Sequence, residues 1–285
     1  MNAPRERMLA GLPVTERRIQ VAGVSTAVLE GGHGPPLLLL HGGIECGGAI
    51  WAPAIARLAE VHSVVVPDLP GLGESEPVSR LDAAAFSEWF AELLRQTRAE
   101  KPVLIAHSLA GHLAARFAAD HDDLLRRLVI YAGPGIGPYR LPLRLMVIAA
   151  RFSVRPSARN AERFDRFAVL DLDRTRERDQ EWWEAFSRYT LSQAVVPHVK
   201  RTMTELIKTC TKRVPDADLR RISIPTTLVW GRRDRMVPLS LGEGAAARLG
   251  WPLHVVEDAA HVPHVEQPEG FLRALDAALA GPLEP

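Results

Sequence analysis

Cysteine is scarce in this chain: only Cys46 and Cys210 occur among 285 residues. Two thiols build no disulfide framework, and no cysteine spacing typical of a metal site is present. Both are expected to be idle, buried thiols in a reducing cytosol. An excess of one charge is also missing. Thirty-five Lys and Arg stand against 34 Asp and Glu, a formal net charge of +1. No whole-molecule field argues for nucleic acid or an anionic membrane, and neither is expected as a partner. Long hydrophobic runs are absent as well. A run such as Pro35 to Leu40 is far too short to span a bilayer and reads as a buried strand. Met1 to Arg18 mixes charges with single apolar residues and has no continuous apolar core of signal-peptide length. The expectation is a soluble, cytoplasmic protein, without tandem repeats or low-complexity tracts.

What is present suits a packed core: 47% of residues are hydrophobic and 24% charged, a globular balance. Short β-type runs alternate with helical patterns. Arg18 to Val21 and Ser25 to Glu30 look like a leading hairpin turned at Ala22-Gly23-Val24. Strands are expected at Leu37 to Leu40, His62 to Val66, Pro102 to Ala106 and Arg127 to Tyr131. Helices are expected at Trp51 to Glu60, Ala83 to Arg98 and Leu109 to Ala119. Such alternation is the signature of a parallel sheet with helices on both faces.

From about Gly137 to Arg220 that rhythm stops and no convincing buried strand occurs. It resumes with strands at Thr226 to Trp230 and Leu253 to Glu257, and helices at Leu241 to Leu249 and Phe271 to Leu279. One α/β domain (residues 1–136 and 221–285) with a helical insertion (137–220) after its sixth strand is the economical reading. The second half has too few strands for a sheet of its own.

Leu104-Ile105-Ala106-His107-Ser108-Leu109-Ala110-Gly111 runs from a buried strand through a small-x-Ser-x-small turn into a helix. This is the pattern of a nucleophile elbow. The turn forces the serine into a strained backbone conformation, so only small side chains fit two positions either side. Ala106 and Ala110 meet that demand. The bland alternative is a serine N-cap on an ordinary helix. A nucleophilic hydroxyl needs a base, and the base needs an orienting acid. Asp234 lies just past one later strand and His261 just past the last. The chain order Ser, Asp, His and the convergence of strand carboxyl ends on one crevice allow the three to meet.

With those residues in view, the chain resembles the α/β-hydrolase superfamily from about Arg18 to Leu279, and within it the capped esterase and carbon–carbon-bond hydrolase branch. His41-Gly42-Gly43 matches the oxyanion loop. Val66-Pro67-Asp68-Leu69-Pro70-Gly71-Leu72-Gly73-Glu74-Ser75 matches a characteristic turn segment. Gly231 through Pro238 matches the acid loop. Ala260-His261-Val262-Pro263-His264-Val265-Glu266-Gln267-Pro268 matches the histidine segment, with alanine replacing its first glycine. The resemblance implies that Ser108 attacks an acyl carbon, His261 takes its proton and Asp234 orients the histidine. It implies an oxyanion hole from the Gly43 and Leu109 amides. No metal or cofactor is expected. Asp68 is expected to support its turn, His264 to be structural, His107 to point away from the pocket and His41 to brace the oxyanion loop.

Substrate contacts are expected from Ile44, Glu45, Trp182, Trp183 and Val262. The insertion, as a lid, is expected to set specificity and to contribute nothing to the chemical step. Between Ile136 and Arg220 there are 17 Lys and Arg against 11 Asp and Glu, an excess of six positive charges. That is either a solvated arginine-rich surface or a field favouring an anionic acyl substrate. Three functions are open at this point. One is hydrolysis of a small carboxylic ester or lactone, by a monomer or homodimer. A second is cleavage of a carbon–carbon bond in a vinylogous diketone from aromatic breakdown. Against that, members with this chemistry usually carry Trp after the histidine, where this chain has Val262. The third is a non-catalytic ligand-binding member of the fold.

Overall fold

The apolar runs lacking any polar alternation are the ones buried on both faces. Leu37, Leu38, Leu39 and Leu40 are all 1% exposed or less, as expected of a central parallel strand. The computed structural model describes residues 4–97 and 100–281. Its strands are β1 (Val14–Val21), β2 (Val24–Gly32), β3 (Pro36–Leu40), β4 (Ser63–Pro67), β5 (Val103–His107), β6 (Arg127–Tyr131), β7 (Thr226–Gly231) and β8 (Leu253–Val256). They form one eight-stranded sheet in the order β1-β2-β4-β3-β5-β6-β7-β8. From β4 across to β8 the pairing is parallel; β1 with β2 and β2 with β4 are antiparallel. The charged β1 is the exposed edge, and its Arg and Glu side chains blunt that edge against further pairing.

The leading hairpin closes more tightly than the sequence pattern suggests. Val24 already pairs with Val21, and only Ala22 and Gly23, at φ 46° and 79°, make the turn. Two left-handed residues in succession match the right-handed twist of the flanking strands.

The helices are α1 (Pro4–Met8), α2 (Ala52–Ala59), α3 (Ala83–Thr97), α4 (Leu109–His121), α5 (Leu143–Val154), α6 (Ala158–Ala168), α7 (Leu172–Arg178), α8 (Gln180–Ala194), α9 (Pro197–Cys210), α10 (Asp216–Leu219), α11 (Leu239–Leu249), α12 (Pro263–Glu266) and α13 (Pro268–Ala280). Arg98, the expected end of α3, lies outside the described residues. Helices α5 to α10 all fall between β6 and β7, so the break in the strand rhythm is helical, as expected. No described helix is long and apolar enough to cross a membrane. Both cysteines are free and buried.

One feature escaped the sequence pattern: α1, whose Arg5 is buried. Its guanidinium meets Asp68 at 2.9 Å and Glu16 at 2.6 Å, donates to the Cys46 carbonyl and lies over the Tyr189 ring of α8. Burial pulls the Arg5 pKa down, but the two carboxylates outweigh it and leave it above its usual value. The turn beneath it is held by Asp68, as expected. Asp68 accepts from the amides of Gly48 at 2.5 Å and Glu74 at 2.8 Å. Gly73, at φ 56°, leaves room for that carboxylate; a Cβ there would sit 2.2 Å from Asp68 Oδ2.

Candidate active site

Ser108 sits between β5 and α4 at φ 53° and ψ −124°. A side-chain-bearing residue at such an angle is strained. It is held there by its amide, which donates to the Tyr131 carbonyl of β6 at 2.8 Å. The first turn of α4 crosses β6 closely enough that a Cβ on Gly111 would lie 3.1 Å from Gly133 Cα. A serine in this turn cannot lie along the strand, and its hydroxyl is lifted above the sheet edge.

The loops after β7 and β8 converge on it. Ser108 Oγ donates to His261 Nε2 over 3.0 Å, and His261 Nδ1 donates to Asp234 Oδ2 over 2.8 Å. The other Asp234 oxygen accepts from the amides of Met236 and Val237, at 2.8 and 2.9 Å. Asp258, the other acid near His261, opens on a separate surface cleft. The structure thus brings together the three residues singled out in the sequence.

The histidine loop is secured from three sides. His107 Nε2 donates to the His261 carbonyl at 2.9 Å. Burial, together with the His261 ring nearby, holds His107 well below the usual histidine range. The His261 amide donates to Ala168 O of α6 at 2.9 Å. Glu266 accepts from the amides of Ala260 and Val262 on either side of His261, and from Leu170 at 2.6 Å. Burial raises the Glu266 carboxyl, although those amides pull the other way. The insertion therefore backs the histidine through Ala168 and Leu170. This revises the expectation that it serves specificity alone.

His41 accepts from the Leu69 amide at Nε2 and donates from Nδ1 to the Gly42 carbonyl, bracing its loop. His264 is tied to the Tyr131 hydroxyl and packs on Trp51; burial lowers its pKa to about 3. The Gly43 and Leu109 amides border the site, and neither donates to an acceptor among the described residues. Cys46 is fully buried, and burial drives its thiol above the usual range, which makes it inert.

A cavity of about 440 Å³ opens from Ser108 beneath the inserted helices. Leu145, Phe164, Trp183, Phe186, Val199 and Met203 form much of its wall. Ile44, Glu45, Trp183 and Val262 line it as expected, but Trp182 does not. Trp182 stacks on Phe186 at 5.3 Å within α8. Tryptophans at consecutive helical positions point about 100° apart, and of this pair it is Trp183 that faces the cavity.

Asp165 of α6, which the sequence did not mark, shares the cavity with Glu45. Burial pushes both carboxyls up to about 7; the Arg176 charge moderates Asp165 and the Glu45 charge raises it further. Between about pH 4 and 7 the folded chain holds protons there that the unfolded chain has released. The stability these groups confer is full below the unfolded pKa and is lost as pH rises through the folded value. Glu45→Gln and Asp165→Asn should therefore gain in Tm relative to wild type between roughly pH 5 and pH 8. Thermal melts at both pH values check this; a constant gap would mean the carboxyls are well solvated.

A strand–turn–helix serine facing a histidine–carboxylate pair above a mostly parallel sheet is the arrangement of hydrolases built on this fold. The sequence profile of the alpha/beta hydrolase family matches residues 37–274, and the chain belongs to that family. It is 26% identical to a pimeloyl-[acyl-carrier protein] methyl ester esterase of Aeromonas hydrophila, over 89% of this chain and 98% of that one. It is 27% identical to a 2-hydroxymuconate semialdehyde hydrolase of Pseudomonas putida, over 98% of each. Among solved structures, a carboxylesterase of Bacillus subtilis superposes with a TM-score of 0.81 at 21% identity, over 98% of this chain and 96% of that one. The relatives thus include both ester and carbon–carbon-bond hydrolases, at low identity.

Proposed function

We propose that the protein is a serine hydrolase that cleaves a carboxylic ester or lactone through an acyl-enzyme. The observation that carries this reading is the hydrogen-bonded line Ser108–His261–Asp234, at 3.0 and 2.8 Å, beside two undirected amides. As Ser108 Oγ adds to the acyl carbon, its proton passes to His261 Nε2. Asp234 stabilises the imidazolium through Nδ1–H. The tetrahedral oxyanion takes hydrogen bonds from the Gly43 and Leu109 amides, each such donor being worth about 100- to 1000-fold in rate. His261 then protonates the leaving alkoxide. A water, deprotonated by His261 in turn, releases the acid and restores Ser108.

Within this reading the inserted helices act as a cap that selects the acyl part, and the cavity wall suits an apolar chain. Carbon–carbon cleavage is the second reading, supported by the full-length similarity to the Pseudomonas putida hydrolase. Val262 after the histidine weighs against it. Purified protein assayed on p-nitrophenyl esters of graded length, several lactones and a dienoate tests both. Turnover of the dienoate with none of the esters would move the assignment to the second reading; turnover of neither would favour a binding role.

The two adjacent tryptophans should separate in such assays. Trp183→Ala opens the cavity wall and is expected to re-rank esters by chain length, mostly through KM. Trp182→Ala removes packing within the helical layer; like Trp183→Ala it loses a buried aromatic, a cost of about 3–5 kcal/mol in stability, but it should leave the ranking of esters unchanged. Steady-state kinetics on both variants read the difference, and thermal melts read the shared stability cost.

A further inference from the structure

Helix α5 carries an apolar ridge on its outer side. Leu143, Met146, Val147 and Val154 are 75%, 51%, 42% and 84% exposed, and Ala150 is exposed between them. Their spacing sets them on one stripe of the helix. The inward face carries Leu145 and Phe152, both buried. The helix therefore spends apolar residues on two sides, and only one side packs against the protein. Along one edge of the ridge run Arg144, Arg151 and Arg155, all exposed. No carboxylate among the described residues pairs with them; Arg144 lies over the Phe167 ring. From Gly137 to Ala161 the chain has five arginines and no acid. The ridge is about 18 Å long at the helical rise per residue.

The ridge is also continuous with the cavity. Met146, Ala150 and Ser153 are exposed and line the cavity wall, so the ridge borders the opening toward Ser108.

We propose that the outer face of α5 adsorbs to an anionic lipid bilayer. Leu143, Val147 and Val154 enter the acyl-chain boundary while Arg144, Arg151 and Arg155 meet lipid phosphates. An amphipathic helix lying in the interface plane has this composition, with cations bordering an apolar stripe. The net charge of +1 conceals it, because the positive excess is confined to one segment. A second copy docked ridge to ridge would bring two arginine edges together with no acid on either helix to offset them. A convex apolar ridge suits a deformable lipid phase better than the shaped surface of an acidic protein. With the hydrolase reading above, the cavity would then draw an apolar ester directly from the bilayer; the adsorption itself is independent of that reading.

The test is flotation of the full chain with vesicles of phosphatidylcholine alone, or with roughly one-third phosphatidylglycerol. Wild type is expected to partition to the anionic vesicles far more than to the neutral ones, and less in high salt. Arg151→Glu/Arg155→Glu should weaken partitioning roughly 25-fold or more, at about fivefold per lost arginine. Val147→Asp/Val154→Asp should weaken it at least as much. Arg126→Glu, at the opposite end of β6 from Ser108, should leave it unchanged. Melting curves show whether each variant is folded. The proposal is overturned if wild type ignores anionic vesicles, or if folded ridge variants float as wild type does. It is equally overturned if the ridge variants lose only a concentration-dependent dimer, or only retention on an acidic protein.

Discussion

Ser108→Ala is expected to reduce ester turnover roughly a millionfold, the scale set by removing a nucleophile from such a triad. The reason lies in the local geometry. Oγ is the atom within 3.0 Å of His261 Nε2, and water would have to replace it without the elbow's positioning. The fold should survive. Alanine at φ 53° costs little more than serine, because both carry a Cβ, and the amide that anchors the turn to Tyr131 O is untouched. Initial rates on a short p-nitrophenyl ester, beside a melting curve, decide the matter. A folded variant with wild-type rates on every accepted ester would remove Ser108 from the mechanism.

Asp234→Asn should cost about 10⁴-fold in kcat, by the tautomer argument developed for serine proteases. Here the structure states why the tautomer must change. Oδ1 of Asp234 accepts from the Met236 and Val237 amides. An asparagine must keep its carbonyl oxygen there, which turns its NH2 toward His261 Nδ1. Nδ1 then has to accept, the ring proton moves to Nε2, and Nε2 can no longer take the serine proton. The loss should appear in kcat with the fold intact. A loss of tenfold or less would mean that another acid orients the histidine.

The convergence of Ser108, Asp234 and His261 and the sheet were legible in the sequence because both rest on local rules. A nucleophile turn needs small residues at fixed offsets, and a strand buried on both faces needs an unbroken apolar run. Glu266 was less legible. It lay in a quoted motif, but its role as acceptor for amides on both sides of His261 depends on how α12 folds back. Asp165 carried no signal, since an acid in an arginine-rich helix reads as solvated until the cavity beside it is seen. Trp182 and Trp183 could not be told apart, because helical phase relative to a cavity is a tertiary property. The α5 ridge was hidden for a related reason: apolar residues at helical spacing normally mean burial, and exposure on the second face is visible only once the first is packed.

The Arg5 contacts make the two layers of the molecule hard to open separately. One guanidinium bonds to Asp68 below the sheet-edge turn and to Glu16 on the edge strand, and lies over Tyr189 in the helical layer. Losing it would strand the Asp68 carboxylate, which is 0% exposed, without its countercharge. A stranded buried charge of this kind costs about 3–5 kcal/mol, a large fraction of the stability of a typical domain. Heat or denaturant should therefore meet one cooperative unit with a single transition. A fusion or cleavage that displaces α1 would be felt in α8, whose Tyr189 lies under Arg5.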